Sequence, residues 1–487
     1  MMTPHALFDA PLDKDSTAAP LQRQLHHRLK TAILDNRLAP GSRLPASRGL
    51  AEALAISRNT VTAAYEHLAA EGYVQQDRQG TRVAALSGSR PARPRVAREP
   101  AATPATARRL AQIRPTAPHT ATSQALRPGI PALSHFPLAA WRRACDQAIR
   151  HAGPSALGYG DPLGEPALRT AIARHLAVAR GVRCAPEQIV VTEGAQEALA
   201  LCVRLLSNPG DTAWVEDPGY RGAKVAMQGG DLRILPLRVD ADGLVATESD
   251  WKTQPPRLVY TTPSHQYPVG AVLTVARRLA LIAQARAQGA WILEDDYDSE
   301  FRHAGEPIGA MQGLVAQAPV LYLGTFSKTM FPSLRLGFLV LPEALLEPTR
   351  TPLQEMLRGG HRFEQLALAD FIASGQFSRH LGRMRRLYRD RQHALREALT
   401  QHLGVPHRIE GGHCGLHLTV RLPSEYPDAA IAQAAQRYGI APTALSGFAL
   451  QPQPQDNGLV LGYGNTSAEL FAPLVQRLGA LARELRA

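Results

Sequence analysis

At 487 residues the chain is too long for one simple core, and its 45% hydrophobic content is ordinary enough to fill two or three. The net charge of +12 favours a polyanionic partner, although a generally arginine-rich composition explains the same figure. No stretch is apolar and long enough to span a bilayer. Asp9 and Asp13 interrupt any secretory pattern at the start, and Cys145, Cys184, Cys202 and Cys414 form no CxxC pair. These features argue against a membrane span, a disulfide framework and a cysteine zinc site. We expect a cytoplasmic protein with no metal site.

Residues 1–84 read as a first domain. Leu21, Leu25, Leu29 and Ile33 recur every four residues and form one apolar stripe on a helix, which Ala39-Pro40-Gly41-Ser42 stops. Ser47 is placed to cap a second helix running to about Leu54. Ser57 is placed to cap a third, from Arg58 to about Glu71, with Gly72 at its end. Val61, Tyr65 and Leu68 face inward on that third helix. Tyr73–Gln76 and Thr81–Val83 then read as two strands around a turn at Asp77 to Gly80. Three helices and a hairpin make a winged helix-turn-helix, in which the third helix leads into a DNA major groove with its N-terminal residues. Arg58, Asn59, Thr60 and Thr62 stand there and suit base edges and thymine methyls. Arg43 and Arg48 suit phosphates, and Gly80 lets a wing backbone approach the duplex. A small interaction module with a solvated polar helix start is the competing reading.

The stretches PLQRQLHHRLKTAIL, APGSRLPASRGLAEAL, ISRNTVTAAYEHLAAEGYV and GTRV resemble the winged-helix domain of the GntR regulator superfamily. The resemblance implies DNA contact by Arg48, Arg58, Asn59, Thr60 and Gly80. Thr62 stands where a basic residue is frequent in that superfamily, and Gly49 where Glu is common, so the operator sequence does not carry over.

Residues 85–122 are rich in Arg, Pro and Ala and read as an extended linker. Between Ala84 and Ser123 seven arginines, including Arg90, Arg93, Arg95 and Arg98, face the single acid Glu99, so this segment either contacts phosphates or is a solvated tether.

From 123 to 487 short apolar runs alternate with helical stretches such as Ala195 to Leu206 and Val275 to Gln288. The runs are Ile189–Val191, Ala213–Val215, Leu258–Tyr260, Trp291–Leu293 and Val320–Leu323. That pattern predicts a mostly parallel sheet covered by helices, with ligands at strand ends.

Five motifs follow those runs. GTFSKTMFPSLRLG supplies an amine, Lys328, with Thr325, Ser327 and Arg335 suited to a phosphate; a lone lysine in such a place is otherwise a solvated surface residue. In LEDDYDSEF, Asp295 can hold a ring nitrogen protonated and Tyr297 can reach a phenolic oxygen. The alternative there, metal binding by Glu294, Asp295, Asp296 and Asp298, is disfavoured because consecutive strand residues point to opposite faces. Gly194, Ala195 and Gln196 begin a helix and can seat a phosphate. Tyr220 in EDPGY is either a ring-stacking residue or core packing. TPSHQYPVG, with Tyr267, is a strand-end loop.

Taken with YGDPLG and VEDPGY, these motifs resemble the class I, fold-type I aminotransferases. More closely they resemble the MocR branch of GntR regulators, in which a winged helix is fused to an aminotransferase-like domain. The resemblance covers about Pro20 to the C-terminus except the linker. It implies an α/β domain with a smaller C-terminal α+β part. It also implies a pyridoxal 5′-phosphate Schiff base at Lys328, Asp295 at the ring nitrogen, Tyr297 at the phenolic oxygen and Tyr220 over the ring. Gly194, Ala195, Gln196, Thr325, Ser327 and Arg335 would hold the phosphate. Tyr159 would reach it from the neighbouring subunit of a head-to-tail homodimer. The implied function is a transcription regulator whose operator binding responds to pyridoxal phosphate or to an amino compound that condenses with it. The alternative is a working aminotransferase with a DNA-binding head. Transamination needs an arginine clamp for a carboxylate near the C-terminus. The matching stretch, Gly458 to Gly464, has none, and no arginine lies between Arg437 and Arg477. We therefore expect weak or absent turnover, with Arg221 or Arg362 as candidate substitutes, and an effector that is the cofactor itself or an amine.

Overall fold

The computed structural model describes residues 8, 10–15, 19–77, 79–85, 107–113, 124–303, 305 and 308–486, and the chain divides into two units, Met1–Ala105 and Thr106–Ala487. In the first, α1 (Leu21–Leu34), α2 (Ser47–Ala53) and α3 (Arg58–Ala70) precede a hairpin of β1 (Val74–Asp77) and β2 (Gly80–Val83). The hairpin is antiparallel, with Val74 opposite Val83 and Asp77 opposite Gly80. Leu25, Leu29 and Ile33 are buried on α1 against Val61, Tyr65 and Leu68 of α3, as the four-residue spacing predicts. The buried Tyr65 hydroxyl donates to the Pro45 carbonyl at 2.9 Å, so burial leaves no orphan.

Ser57 caps α3 as expected, its Oγ accepting from the Thr60 N–H at 3.1 Å. Gly72 follows the helix at φ +77°. Two local readings change. Ser47 is the first residue of α2, not its cap; Ala46 holds that position with no side-chain bond, and the Ser47 hydroxyl instead accepts from Arg58 Nε at 3.4 Å. The first helix ends before Ala39-Pro40-Gly41-Ser42: the chain leaves it through Asp35 and Asn36, and Asn36 takes φ +53°, a conformation that short polar side chains tolerate.

In the second unit one sheet holds β3 (Ile189–Thr192), β4 (Thr212–Asp217), β5 (Arg233–Asp240), β6 (Gly243–Leu244), β7 (Leu258–Thr261), β8 (Trp291–Asp296), β9 (Val320–Thr325) and β10 (Gly337–Val340). Their order is β3-β10-β9-β8-β7-β4-β5-β6. The central β5, β4, β7, β8 and β9 are parallel, and β10 runs antiparallel to both β9 and β3. The five apolar runs are β3, β4, β7, β8 and β9, nearly all buried, because helices cover both faces of a parallel sheet. The helices Ala195–Leu206 and Val275–Gln288 have the expected bounds.

The smaller C-terminal part is a four-stranded antiparallel sheet of β11 (Arg408–Glu410), β12 (His417–Arg421), β13 (Thr443–Ala444) and β14 (Gly458–Gly462), ordered β11-β12-β14-β13. The helices Asp428–Ala435 and Phe471–Glu484 accompany it. Of the stretch read as an extended linker, residues 108–112 form a 3-10 turn, and Arg109 Nε donates to the Gly229 carbonyl at 2.9 Å. Arg90, Arg93, Arg95 and Arg98 lie outside the described residues. No helix among the described residues is long and apolar enough to cross a membrane.

Candidate functional site

Four of the five parallel strands carry the chemistry at their C-terminal ends, and the start of helix Ala195–Leu206 joins them after β3. Together they wall a cavity of about 400 Å³, within the range of small-molecule sites. Ala195, Gln196, Tyr220, Tyr267, Asp295, Tyr297, Thr325, Ser327, Lys328 and Arg335 all line it. A more open cleft of about 1220 Å³, walled by Val269–Val272 and His407–Arg408 among others, holds none of the expected residues.

At one end of the cavity, Gly194 takes φ +87° immediately before the helix, and the Arg335 guanidinium lies 3.7 Å from where a Cβ on Gly194 would sit. Arg335 Nη2 donates to the Glu193 carbonyl at 2.7 Å, which fixes the guanidinium beside the helix N-terminus. Thr325 Oγ1 donates to Ser327 Oγ at 3.1 Å. Helix N–H groups, two hydroxyls and a guanidinium at one end of a cavity make an anion seat.

At the other end is Asp295. It is 4% exposed; Oδ2 accepts from the Tyr260 hydroxyl at 2.7 Å, and Oδ1 is buried with no partner. Burial pushes its pKa up to about 7, against the pull of the Tyr260 hydrogen bond. An unpaired buried carboxylate oxygen fits a protonated ring nitrogen.

Lys328 lies between these ends. Its Nζ donates to the Gly129 carbonyl at 2.7 Å, and desolvation pushes the amine's pKa down while Asp298 and Asp295 oppose the shift. The Tyr297 hydroxyl sits 2.9 Å from His265 Nδ1, which is 3.0 Å from Asp298 Oδ1. The Tyr220 ring stands edge-on to Tyr267 at 6.2 Å, and burial pushes the Tyr220 phenol up to about 12. Burial raises the Tyr297 phenol as well, so both stay protonated near neutral pH.

The carboxylates of the β8 motif do not form a cluster. Glu294 accepts from the Met311 and Gln312 N–H groups, and Asp296 pairs with Arg180 at 2.7 Å and Tyr322 at 2.6 Å, on the face opposite Asp295.

The structure also adds residues. Arg127, Pro128, Gly129, Ile130, Tyr260, Thr262, Asp298 and His417 line the same cavity. Thr262 and Asp298 belong to the motifs TPSHQYPVG and LEDDYDSEF, and Tyr260 ends an apolar run, where a phenol needs a partner for its hydroxyl; the other residues carried no sequence signal. Arg221 and Arg362 are not among the lining residues; Arg362 instead pairs with Glu165 at 2.5 Å. Tyr159 is 92% exposed and outside its own chain's cavity.

In the first unit, Arg43, Arg48, Arg58 and Asn59 lie along the start of α3 and the segment before it, and all four are exposed. The Thr60 hydroxyl is 2.8 Å from Ser57 Oγ, so part of its hydrogen-bonding capacity serves the cap. Thr62, Arg43 and Gly80 line a groove of about 670 Å³ with Gln76 and Thr81 of the hairpin. Gly80 takes φ +126°, and a Cβ there would stand 2.9 Å from the Arg43 guanidinium. The glycine thus gives the wing room to carry Arg43.

A lysine, an anion seat and an unpaired carboxylate at the strand ends of this sheet define an aminotransferase-type pyridoxal-phosphate domain, here joined to a winged helix. Residues 129–457 match the family model for aminotransferase class I and II, and residues 21–83 match that for bacterial regulatory proteins of the gntR family. The chain is 38% identical, over 93% of its length and 91% of the relative's, to the probable rhizopine catabolism regulatory protein MocR of Rhizobium meliloti. It is 34% identical to the pyridoxine biosynthesis transcriptional regulator PdxR of Corynebacterium glutamicum, covering 91% of each chain. The alpha-aminoadipate aminotransferase LysN of Thermus thermophilus, solved with N-(5'-phosphopyridoxyl)-L-leucine, superposes with a TM-score of 0.67 at 28% identity, covering 74% of this chain and 92% of that one. The chain belongs to the MocR-type family of GntR transcription regulators, and its cofactor is pyridoxal phosphate.

Proposed function

We propose that the second unit is a sensor: binding of pyridoxal phosphate, or of an amino compound that condenses with it, changes operator binding by the winged helix. The observation that carries this reading is the complete cavity around Lys328. Its anion seat and the open Oδ1 of Asp295 suit the two ends of the cofactor. When bound, the cofactor supplies an aldehyde for amines and an electron-withdrawing ring. Lys328 holds it, Asp295 faces the ring nitrogen, Tyr297 faces the phenolic oxygen and Tyr220 covers the ring. Gly194, Ala195, Gln196, Thr325, Ser327 and Arg335 seat the phosphate. Tyr267 packs edge-on to Tyr220 and supports it.

Transaminase turnover is weak in this reading, because β14 and the loop after it bring no arginine to the cavity. Arg127 lines the cavity from the segment beside β14, outside the stretch that matches the clamp. One relative is named for regulation of rhizopine catabolism and another for regulation of pyridoxine biosynthesis. Tyr159, exposed on its own chain, serves the phosphate seat of a second copy in a head-to-tail homodimer.

The test begins with an operator selected from randomised duplexes. Operator affinity and the visible spectrum of the bound cofactor are then followed together while pyridoxal phosphate, and afterwards amino acids and amines, are added. A shift in affinity that tracks the spectrum is expected. Spectral saturation with unchanged affinity would sink the sensor reading, and sustained turnover within the usual enzymatic range of about 1–10³ s⁻¹ would favour the enzyme.

On the DNA side, Arg58→Ala and Asn59→Ala should each cost about 1–3 kcal/mol on the selected operator and relax its sequence preference. Arg43→Ala and Arg48→Ala should weaken all duplexes alike and flatten the salt dependence by about one phosphate contact each. Equal losses on specific and random DNA for Asn59→Ala would remove it from base reading.

A further inference from the structure

Away from the cofactor cavity, one group of side chains in the first unit has the chemistry of a ligand set. His26 lies on α1, His67 lies on the last turn of α3, and Glu71 caps that helix. His67 and Glu71 are four residues apart and share a face. The packing of α1 on α3 brings His26 to them. His26 Nε2 is 3.3 Å from Glu71 Oε1, and His67 Nε2 is 3.4 Å from the same oxygen. The two imidazoles are stacked, with centroids 4.3 Å apart and planes at 23°, so both edges present Nε2 to one side. All three ligand atoms lie within 4.8 Å of one another.

The two imidazoles meet Glu71 at ion-pair distances rather than in well-formed hydrogen bonds. His26 Nε2 is buried and meets no partner in hydrogen-bonding geometry, despite its closeness to the carboxylate. The second oxygen of Glu71 is held by Lys30 at 2.7 Å, which turns Oε1 toward the imidazoles. Lys30 is anchored in turn over the Tyr73 ring at 4.8 Å. An ion bound tetrahedrally at about 2.0–2.1 Å separates neighbouring ligand atoms by about 3.4 Å. The two nitrogen-to-oxygen edges already have that length. His67 is half exposed, which leaves an entry path and room for water as a fourth ligand.

We propose that His26, His67 and Glu71 bind a divalent first-row transition cation of the zinc type, which clamps α1 to the C-terminal end of the DNA-reading helix. Two imidazoles and one carboxylate select zinc, cobalt, nickel or copper over magnesium and calcium. The residues come from two helices with no CxxC or HxxxH spacing, so no local pattern announces a metal.

The experiment is titration of the full-length chain, freed of metal, with Zn²⁺ by calorimetry, and with Co²⁺ to read coordination from its visible spectrum. His67→Gln and Glu71→Gln are compared with the parent, and circular dichroism checks that each folds. His67→Ala, which removes only a half-exposed ring, stands by should either misfold. The expected result is one equivalent of Zn²⁺ bound at this site, a tetrahedral Co²⁺ spectrum, and at least roughly tenfold weaker binding in both variants with the spectrum lost. No binding by the parent, or binding that neither substitution weakens, would overturn the proposal. Unchanged binding would assign the metal to another group, such as the buried His265, Asp298 and His417 beside the cofactor cavity.

Discussion

Lys328→Ala should abolish the absorbance band of the covalently linked cofactor and most of the stability that the cofactor confers. The amine sits between the phosphate seat and Asp295, and desolvation lowers its pKa, which raises the neutral, nucleophilic fraction near pH 7. The substitution leaves the seat itself intact, since Gly194, Thr325, Ser327 and Arg335 depend on no contact with Nζ. Residual, phosphate-driven binding is therefore expected. At a cofactor concentration about a hundredfold above its Kd, the parent gains about 2.7 kcal/mol against unfolding. A variant binding about a hundredfold more weakly at the same concentration gains only about 0.4 kcal/mol. Thermal melts with and without cofactor measure that difference, and the spectrum measures the covalent link. A variant that keeps the band, or is stabilised as much as the parent, would move the anchor to another amine.

Much of this site was legible in the sequence for a physical reason. Parallel strands covered on both faces read as unbroken apolar runs, and the ligand lies where those runs end. Tyr220, Asp295, Tyr297 and Lys328 each follow such a run within a few residues, so order along the chain located them. What was not legible came from distance. Gly129 accepts from Lys328 across 199 residues, and His417 reaches the cavity from a different sheet. Arg127 lies in the segment that runs beside β14: Gly462 N–H donates to the Leu126 carbonyl, and a Cβ on Gly462 would collide with the Arg127 carbonyl. The stretch that matches the carboxylate clamp thus faces a main chain that carries its own arginine. No local pattern reports such a neighbour. β5 escaped for a different reason: it lies toward the sheet's edge and mixes charge with apolar residues in RILPLRVD.

The adjacent carboxylates of β8 separate the cost of folding from the cost of binding. Asp296→Ala should destabilise the second unit by about 3–5 kcal/mol, because it leaves the buried Arg180 charge without its partner. Ser264 and the Ile308 carbonyl also contact Arg180, but neither carries a compensating charge. Asp295→Asn should do the opposite in the cofactor-free protein. The folded-state pKa of Asp295 is raised, so its penalty is absent below the ordinary carboxylate range near pH ~4. The penalty grows as pH rises to about 7 and is constant above that. The parent therefore loses stability across that window relative to Asp295→Asn, and the variant is the more stable of the two at pH 8. With cofactor bound, a protonated ring nitrogen at the open Oδ1 would relieve the penalty, and the order should reverse. Urea denaturation at pH 5 and pH 8, with and without cofactor, gives all the comparisons. An Asp295→Asn protein as unstable as Asp296→Ala at every pH would make Asp295 a structural residue and leave the ring nitrogen without its counter-charge. The reversal on adding cofactor would show that the protein carries an unpaired carboxylate at a cost to its own stability, which only the ligand recovers. On the proposed sensor reading, a second unit stabilised by its ligand needs no catalytic turnover to register that the ligand is present.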